Sequence, residues 1–299
     1  MKRKHEKRED EEEEVDGNES DGSSDTSDSN SDDSKEEIID VDFDFFDPKE
    51  IDFHGLKTLL KQTVSNDHEL FNLSALADRI IAQPHLGSVV KVDNSDDPYA
   101  VMTIISIIPD AQTKKLPQEI ATIKDYILQK SSKSSKYHDR LESLLSSKKC
   151  GLLINERLIN LPPQIVVPML KMLDAELVES VTQKKSANFE YFLVISKTYT
   201  ECDPLILDED DGNSSNALKK RKTKKSVNGA AGKQVILNFQ VEDEIFEKFD
   251  EFHFDYKFSN QNDQSELMQT AGIKTSRRLY VIERSKLPQI QQAMDQLLN

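Results

Sequence analysis

The residue types that most often perform chemistry are scarce in this chain, and their spacing predicts neither a catalytic nor a metal site. A metal site needs three or four ligands that converge, and no histidine stands four residues from another or beside a cysteine. The six histidines are His5, His54, His68, His85, His138 and His253. Nothing near Cys150 in the sequence supplies the base and the orienting group that a nucleophile requires, so we expect a half-buried structural thiol.

A phosphate-binding loop is not predicted either. Residues 229–233 (Gly-Ala-Ala-Gly-Lys) superficially suggest one, but the spacing is too short and Gln234 stands where Ser or Thr should be. The carboxylates are concentrated near the N-terminus, where no dry surroundings would shift their pKa values toward catalytic use. The sequence therefore predicts a protein that is not an enzyme and that uses no cofactor.

Negative charge is concentrated in the first 36 residues. The chain has 299 residues and a formal net charge of −16, and residues 9–33 carry acidic side chains but no Lys or Arg. Met1 and Val15 are the large apolar residues of this segment, so burial cannot offset an ordering cost of roughly 1.5 kcal/mol per residue. We predict a disordered acidic tail over residues 1–36.

An acidic tail favours some partners over others. It disfavours nucleic acid, because phosphate contacts need Lys and Arg, and it suits basic proteins such as ribosomal proteins, histones or import signals. The alternative is that the tail only keeps the protein soluble. Two serines have an acidic residue three positions later, which is the pattern that acid-directed kinases recognise: Ser29 precedes Asp32, and Ser34 precedes Glu37. They are candidate phosphorylation sites.

A basic run lies in a polar segment near residue 220. Nuclear import receptors read such runs through their charge. The basic residues are Lys219, Lys220, Arg221, Lys222, Lys224 and Lys225. We expect nuclear import, while the alternatives are a solvated loop or one that folds back on the acidic tail.

The cysteine content and the hydropathy pattern indicate a nuclear or cytosolic protein. Cys150 and Cys202 do not make a disulfide framework and are expected to be reduced. The charged start at residues 2–4 is not followed by an apolar segment, so no secretory signal is predicted. No apolar run reaches the roughly 18 residues that a membrane-spanning helix needs.

Folded structure is predicted to begin near residue 38, where apolar and acidic residues alternate as in a half-buried strand; a docking peptide would show a similar pattern. Helical spacing predicts helices at residues 55–64, after Asn72, at 116–128, at 137–145, at 161–181 with a kink or restart at Pro168, at 242–249 and at 287–298. Strands are predicted at residues 87–92 and 99–108, paired as a hairpin, and at 151–154, 189–199, 235–241, 252–258 and 279–282.

This order of elements predicts an α/β or α+β fold with a mixed sheet flanked by helices. The predicted organisation is a single domain over residues 37–299, interrupted by a disordered insertion at about 203–233, where Asp, Gly, Asn, Ser and Lys dominate. We expect a monomer.

Several segments resemble the BCCIP family, and the chain looks like a fungal member of it. The most specific segment is Gly-Leu-Leu-Ile-Asn-Glu-Arg-Leu-Ile-Asn-Leu-Pro-Pro-Gln-Ile at residues 151–165. Others are residues 54–60, 86–91, 97–99, 189–198 and 242–246, and the resemblance covers roughly residues 38–298.

The resemblance implies a body similar to the GNAT acetyltransferase fold but no known acetyltransferase activity. In agreement, the loop that holds the acetyl-CoA pyrophosphate is not found; residues 269–272 come nearest, and Lys274 replaces the second small residue. The resemblance also implies a nuclear or shuttling protein, a chaperone of a newly made ribosomal protein in large-subunit biogenesis, with a role in nuclear export. No contact residues are carried over from the family.

The resulting hypothesis is a dedicated escort for a basic ribosomal protein, brought to the nucleus by an import receptor, with no membrane or direct DNA binding. One rival is a diverged acetyltransferase, which would bind acetyl-CoA. A second rival is a histone or nucleic-acid chaperone, which shares the acidic tail but would retain core histones.

Overall fold

The protein is described by a computed structural model at residues 42–83, 85–92, 95–109, 115–133, 135–182, 188–201, 235–260, 268 and 271–298. These residues belong to one compact unit, Val41–Asn299. The predicted acidic tail (1–36), Ser29 and Ser34, the predicted insertion (203–233) and the basic run (219–225) lie outside the described residues.

A mixed sheet forms the centre of this unit. The strands are β1 (Phe43–Phe46), β2 (Ser88–Val92), β3 (Ala100–Ser106), β4 (Cys150–Arg157), β5 (Tyr191–Glu201), β6 (Leu237–Asn238), β7 (Phe252–Tyr256) and β8 (Ile273–Glu283). Their order across the sheet is β1-β2-β3-β4-β5-β8-β7, with β6 beside β5. β4 and β5 pair in parallel, and every other pair in this order is antiparallel.

Helices cover both faces of the sheet. They are α1 (Phe53–Val64), α2 (Leu73–Ala82), α3 (Gln118–Ser131), α4 (Ser135–Ser147), α5 (Val166–Thr182), α6 (Asp243–Phe249) and α7 (Leu287–Leu298). Apolar residues of α1–α4 pack on one face, and those of α5–α7 pack on the other. The predicted mixed sheet flanked by helices is therefore confirmed.

The inner strands are apolar at nearly every position because both of their faces are covered. In β3, Val101 and Ile105 contact the α1–α4 layer, whereas Met102 and Ile104 contact the α5–α7 layer. All four are at most 1% exposed, and each contributes about 2 kcal/mol of hydrophobic stabilisation.

Two local predictions agree with the structure, and a third does not. The Asn72 side chain accepts a hydrogen bond of 3.1 Å from the Ala75 amide and so caps α2. β2 and β3 form the expected antiparallel hairpin. The predicted kink or restart at Pro168 was wrong: α5 begins at Val166, after a 3-10 turn at Pro163–Ile165, and Pro168 lies in its first turn, where a backbone N–H would have no intrahelical acceptor.

The predicted lengths of three strands were wrong. β4 runs to Arg157 and β8 begins at Ile273, although their charged residues had suggested shorter strands. These charges are accommodated by partners; the Arg278 guanidinium, for example, binds Asp255 at 2.7 Å. β6 is shorter than predicted, because β5 offers it pairing only at Thr198 and Tyr199.

Candidate partner-binding cleft

β4 and β5 stop pairing before either strand ends. Their parallel register runs from the Cys150–Tyr191 pair to the Leu153–Val194 pair, yet β4 continues for four residues and β5 for seven. β6 pairs with this free part of β5, and the Phe239 amide donates to the Lys197 carbonyl at 3.0 Å. The carboxyl ends of parallel strands are the usual ligand-binding edge of an open α/β sheet, so this is where a site is expected.

Two ion pairs lie at these strand ends. Lys197 Nζ of β5 lies 2.5 Å from Glu156 Oε2 of β4, and it also donates to Gln62 of α1 at 3.2 Å. On the opposite face, the Arg157 guanidinium contacts both carboxylate oxygens of Glu242 at 3.1 and 3.3 Å and donates to the Leu161 carbonyl at 2.9 Å. Both carboxylates are buried. The charges therefore neutralise one another instead of facing a ligand.

A third cation near these strand ends, Arg277, binds backbone carbonyls of α1. Arg277 of β8 is buried and donates to the carbonyls of Thr63 at 2.8 Å and Gln62 at 2.9 Å. These carbonyls lie at the C-terminus of α1, where the helix dipole favours a positive charge. Burial lowers the pKa of Arg277 from its ordinary value. Its guanidinium also lies 4.8 Å from the ring centre of Phe258.

Asp243 is a buried carboxyl group beside this site. The Ser196 hydroxyl donates to its Oδ2 atom, and burial raises the pKa of Asp243 to about 8, with the nearby Glu242 and Glu156 adding to the effect. A carboxyl that titrates near neutrality is a candidate acid or base. However, Asp243 is 2% exposed and does not line the adjoining cavity, so we interpret it as structural.

The cavity at these strand ends has a volume of about 340 Å³, and we call it the β4–β5 cleft. Its lining residues are Gln62, Ser65, Arg157, Ile159, Lys197, Phe239, Gln240, Met268, Thr275 and Arg277. Ile159 is 90% exposed at its rim. Ser65 has φ of 46°, a strained value for a residue with a side chain.

Exposed apolar side chains extend from the cleft along β6. Four alternate apolar residues of segment 235–241 are exposed, and Val235 is 70% exposed. We call them the β6 apolar row: Val235, Leu237, Phe239 and Val241. Contiguous exposed apolar surface of this kind is typical of protein-interaction sites.

Three candidate residues that the structure describes, Cys150, His138 and His253, do not line the cleft. Cys150 is buried in the core, and burial raises the pKa of its thiol to about 12, so it stays protonated at neutral pH. It is fully rather than half buried. His253 lies 2.6 Å from Asp250, and His138 lies 2.9 Å from the Ser131 hydroxyl. Within the described ranges, no group of three or more His, Cys, Asp or Glu is arranged to hold a metal ion.

Sequence reasoning missed the charged residues at the strand ends. Glu156 and Arg157 directly follow an apolar strand, and Lys197 interrupts a β-like run. A charge inside an apolar strand was the available signal, since such a charge needs a buried partner. The partners are distant in sequence, because 85 residues separate Arg157 from Glu242.

The fold belongs to the class of α/β proteins in which helices enclose a mixed sheet. A family model described as BCCIP matches residues 38–246, and the chain belongs to the BCCIP family. Protein bcp1 of Schizosaccharomyces pombe is 40% identical over 254 residues, covering 82% of this chain and 86% of the relative. Protein BCP1 of Yarrowia lipolytica is 34% identical over 267 residues, covering 87% and 82%.

A solved structure shares this fold. The crystal structure of BCP1 from Saccharomyces cerevisiae has a TM-score of 0.55, covers 90% of this chain and 92% of that chain, and is 21% identical in sequence. In the described parts of the chain, no helix combines the length and apolar character that crossing a membrane requires.

Proposed function

We propose that this protein is a non-enzymatic escort that binds a basic ribosomal protein of the large subunit, with a role in nuclear export. Membership of the BCCIP family and the resemblance described above support a role in ribosome biogenesis. The acidic tail supports a positively charged client, because opposite charge speeds association and selects partners. We also propose that the sheet is of the GNAT type, which its single parallel pair among antiparallel neighbours supports.

One observation carries the non-enzymatic proposal. At the edge where an α/β sheet usually binds its ligand, the charges of Glu156, Lys197, Arg157 and Glu242 are paired with one another. The exposed groups beside these ion pairs are the side chains of the β6 apolar row and of Ile159. Exposed aliphatic and aromatic side chains suit the apolar core of a protein interface.

The client test uses affinity purification of the tagged full-length chain, followed by mass spectrometry. The Val235→Ser/Leu237→Ser variant should lose the basic large-subunit protein. The matched control is Val178→Ser/Val181→Ser, which changes two exposed valines of α5 and should retain it. Failure of the intact chain to recover any cationic protein would refute the proposal, and core histones in its place would favour the histone-chaperone rival.

A cofactor test separates the escort from a diverged acetyltransferase. A ligand that binds the native state raises its melting temperature. We expect acetyl-CoA to leave the melting temperature of the full-length chain unchanged. A concentration-dependent rise would support the enzyme rival.

Nuclear import is proposed to depend on the basic run at residues 219–225. Replacing Lys219, Lys220, Arg221 and Lys222 by Gln removes the charge that import receptors read. We expect a fluorescent fusion of this variant to shift from nucleus to cytoplasm. The control variant replaces Lys2, Arg3 and Lys4 by Gln, which removes basic residues outside this run. An unchanged nuclear signal in the first variant would contradict the proposal.

A further inference from the structure

A second surface of the body is the free edge of the sheet at β1, which β2 and β3 separate from β4 in the sheet order. β1 is the first strand in the sheet order and pairs with β2 alone among the described strands. An exposed strand edge can take up an additional strand through backbone hydrogen bonds. The question is which groups this edge offers, and to what kind of partner.

The register shows which backbone groups point outward. The Val90 carbonyl accepts from the Tyr99 amide, and the Val92 carbonyl accepts from the Ser95 amide. The backbone N–H and C=O groups of the even-numbered residues of β2 therefore point toward β3. The backbone groups of the odd-numbered residues of β2 point toward β1. There, Lys91 pairs with Asp44 and Val89 pairs with Phe46. The N–H and C=O groups of the alternate β1 residues, Phe43 and Phe45, point away from the sheet.

The side chains of this edge divide into two kinds. Phe43 and Phe45 are half-buried and pack against the α5–α7 layer. Asp42 and Asp44 are exposed and form no ion pair within the described residues. A strand added here would place alternate side chains against the aromatic rings and the others against the carboxylates.

Further acidic side chains lie near the edge, and the basic residue opposite Asp44, Lys91, is paired with Asp52 at 2.8 Å. Asp47 follows β1 and its Oδ2 lies 3.6 Å from His85 Nδ1, and Glu176 and Glu179 lie on the neighbouring helix α5. Glu176 accepts from the Gly87 amide at 2.6 Å, and burial together with the charges of Asp47 and Glu179 raises its pKa. Pairing of β1 with a second copy of itself would oppose acidic side chains, which disfavours self-association.

We propose that the β1 edge binds an extended protein segment in which basic and apolar residues alternate, and that this segment joins the sheet as an additional strand. Its basic side chains lie over Asp42 and Asp44, and its apolar side chains cover Phe43 and Phe45. The proposal rests on the proposed function only for the natural source of the segment, which would be the basic client.

The test uses the full-length chain and synthetic fluorescent peptides, with affinity measured by anisotropy. One peptide alternates Lys and Val, and the other has the same composition with its Lys and Val residues in two blocks. The acidic tail attracts both through charge alone, so only strand addition separates them. We expect tighter binding of the alternating peptide, and equal affinities would overturn the proposal.

Two pairs of variants locate the binding. Asp42→Lys/Asp44→Lys should weaken binding of the alternating peptide about tenfold. The control variant Asp125→Lys/Asp139→Lys changes exposed acids of α3 and α4 and should bind as the wild type does. Phe45→Pro removes an outward N–H, and Phe45→Ala removes the same ring but keeps that donor, so the proline variant should bind about fivefold more weakly than the alanine variant.

Melting temperatures establish that the variants are folded, and the exposed charge changes keep the test valid if Phe45→Pro does not fold. Equal effects of the edge and control charge changes would overturn the proposal. Because the peptides replace the natural client, failure of this test leaves the escort function standing. Conversely, an affinity purification that recovers no basic client would refute the escort function and would leave the result of the peptide test unchanged.

Discussion

At the scale of single residues, Asp243 links stability to pH. Its raised pKa, about 8, means that the native protein holds a proton there that the unfolded chain releases above about pH 4. Because the unfolded state binds fewer protons in this window, the contribution of Asp243 to the free energy of unfolding falls as pH rises from about 4 to about 8.

Asp243→Asn should remove this dependence while keeping an oxygen that accepts from Ser196. Urea unfolding should show the variant more stable than wild type near pH 8.5, by more than about 1 kcal/mol, since one pKa unit corresponds to about 1.4 kcal/mol. The difference should shrink toward about pH 5. Parallel stability profiles of the two proteins would show that Asp243 does not titrate in this range.

The Arg157–Glu242 pair is the second prediction at this scale. Arg157→Met would leave the fully buried Glu242 without its cation, and removal of one partner from a buried pair costs about 3 kcal/mol or more. The double variant Arg157→Met/Glu242→Gln should recover much of this loss in urea unfolding. A double variant no more stable than the single one would show that the arginine acts through packing rather than through its charge.

At the scale of elements, the Asn72 cap shows that a local signal can fix the start of a helix. Asn72→Ala removes the acceptor of the Ala75 amide and should lower the free energy of unfolding by about 1 kcal/mol. Asn72→Asp keeps a capping oxygen and is the matched control. An alanine variant as stable as the aspartate variant would mean that water replaces the cap.

Strand length was less predictable than helix position. Lys274, Arg277 and Arg278 made the first half of β8 resemble a loop, although this stretch pairs with β5 along its whole length. Arg277 lies under the end of α1, and Arg278 lies against Asp255 and Glu247. The strand therefore depends on partners that only the packing of distant elements supplies.

At the scale of the whole molecule, net charge should control how fast a client is captured. Deletion of residues 9–33 removes 13 acidic side chains, by count from the sequence. Long-range attraction raises association rates by tenfold or more at low salt and is screened as salt increases. We expect the deletion to slow capture of the proposed basic client and to flatten the salt dependence of the association rate in stopped-flow measurements.

The matched control replaces the same acids by Ser and Gly, so that the length of the segment is kept. If length and not charge matters, this control should behave as the wild type. Association rates at low salt that are unchanged in both variants would leave solubility as the role of the tail.

The sequence by itself determined the features that depend on near neighbours. Amphipathic spacing located most helices, alternation located most strands, and the string at residues 151–165 indicated the family. The absence of a recognisable catalytic motif was likewise readable from local spacing, although it remains a prediction about activity.

Only the tertiary structure decided where the candidate surfaces lie. β6 occupies the gap where β4 and β5 part, and Glu242 meets Arg157 across 85 residues of sequence. The outward direction of the backbone N–H and C=O groups of Phe43 and Phe45 likewise follows from the pairing of β2 with β3. Periodicity records whether a side chain is buried, but it does not record which distant segment buries it or which strand edge stays open, because these depend on the register and order of the whole sheet.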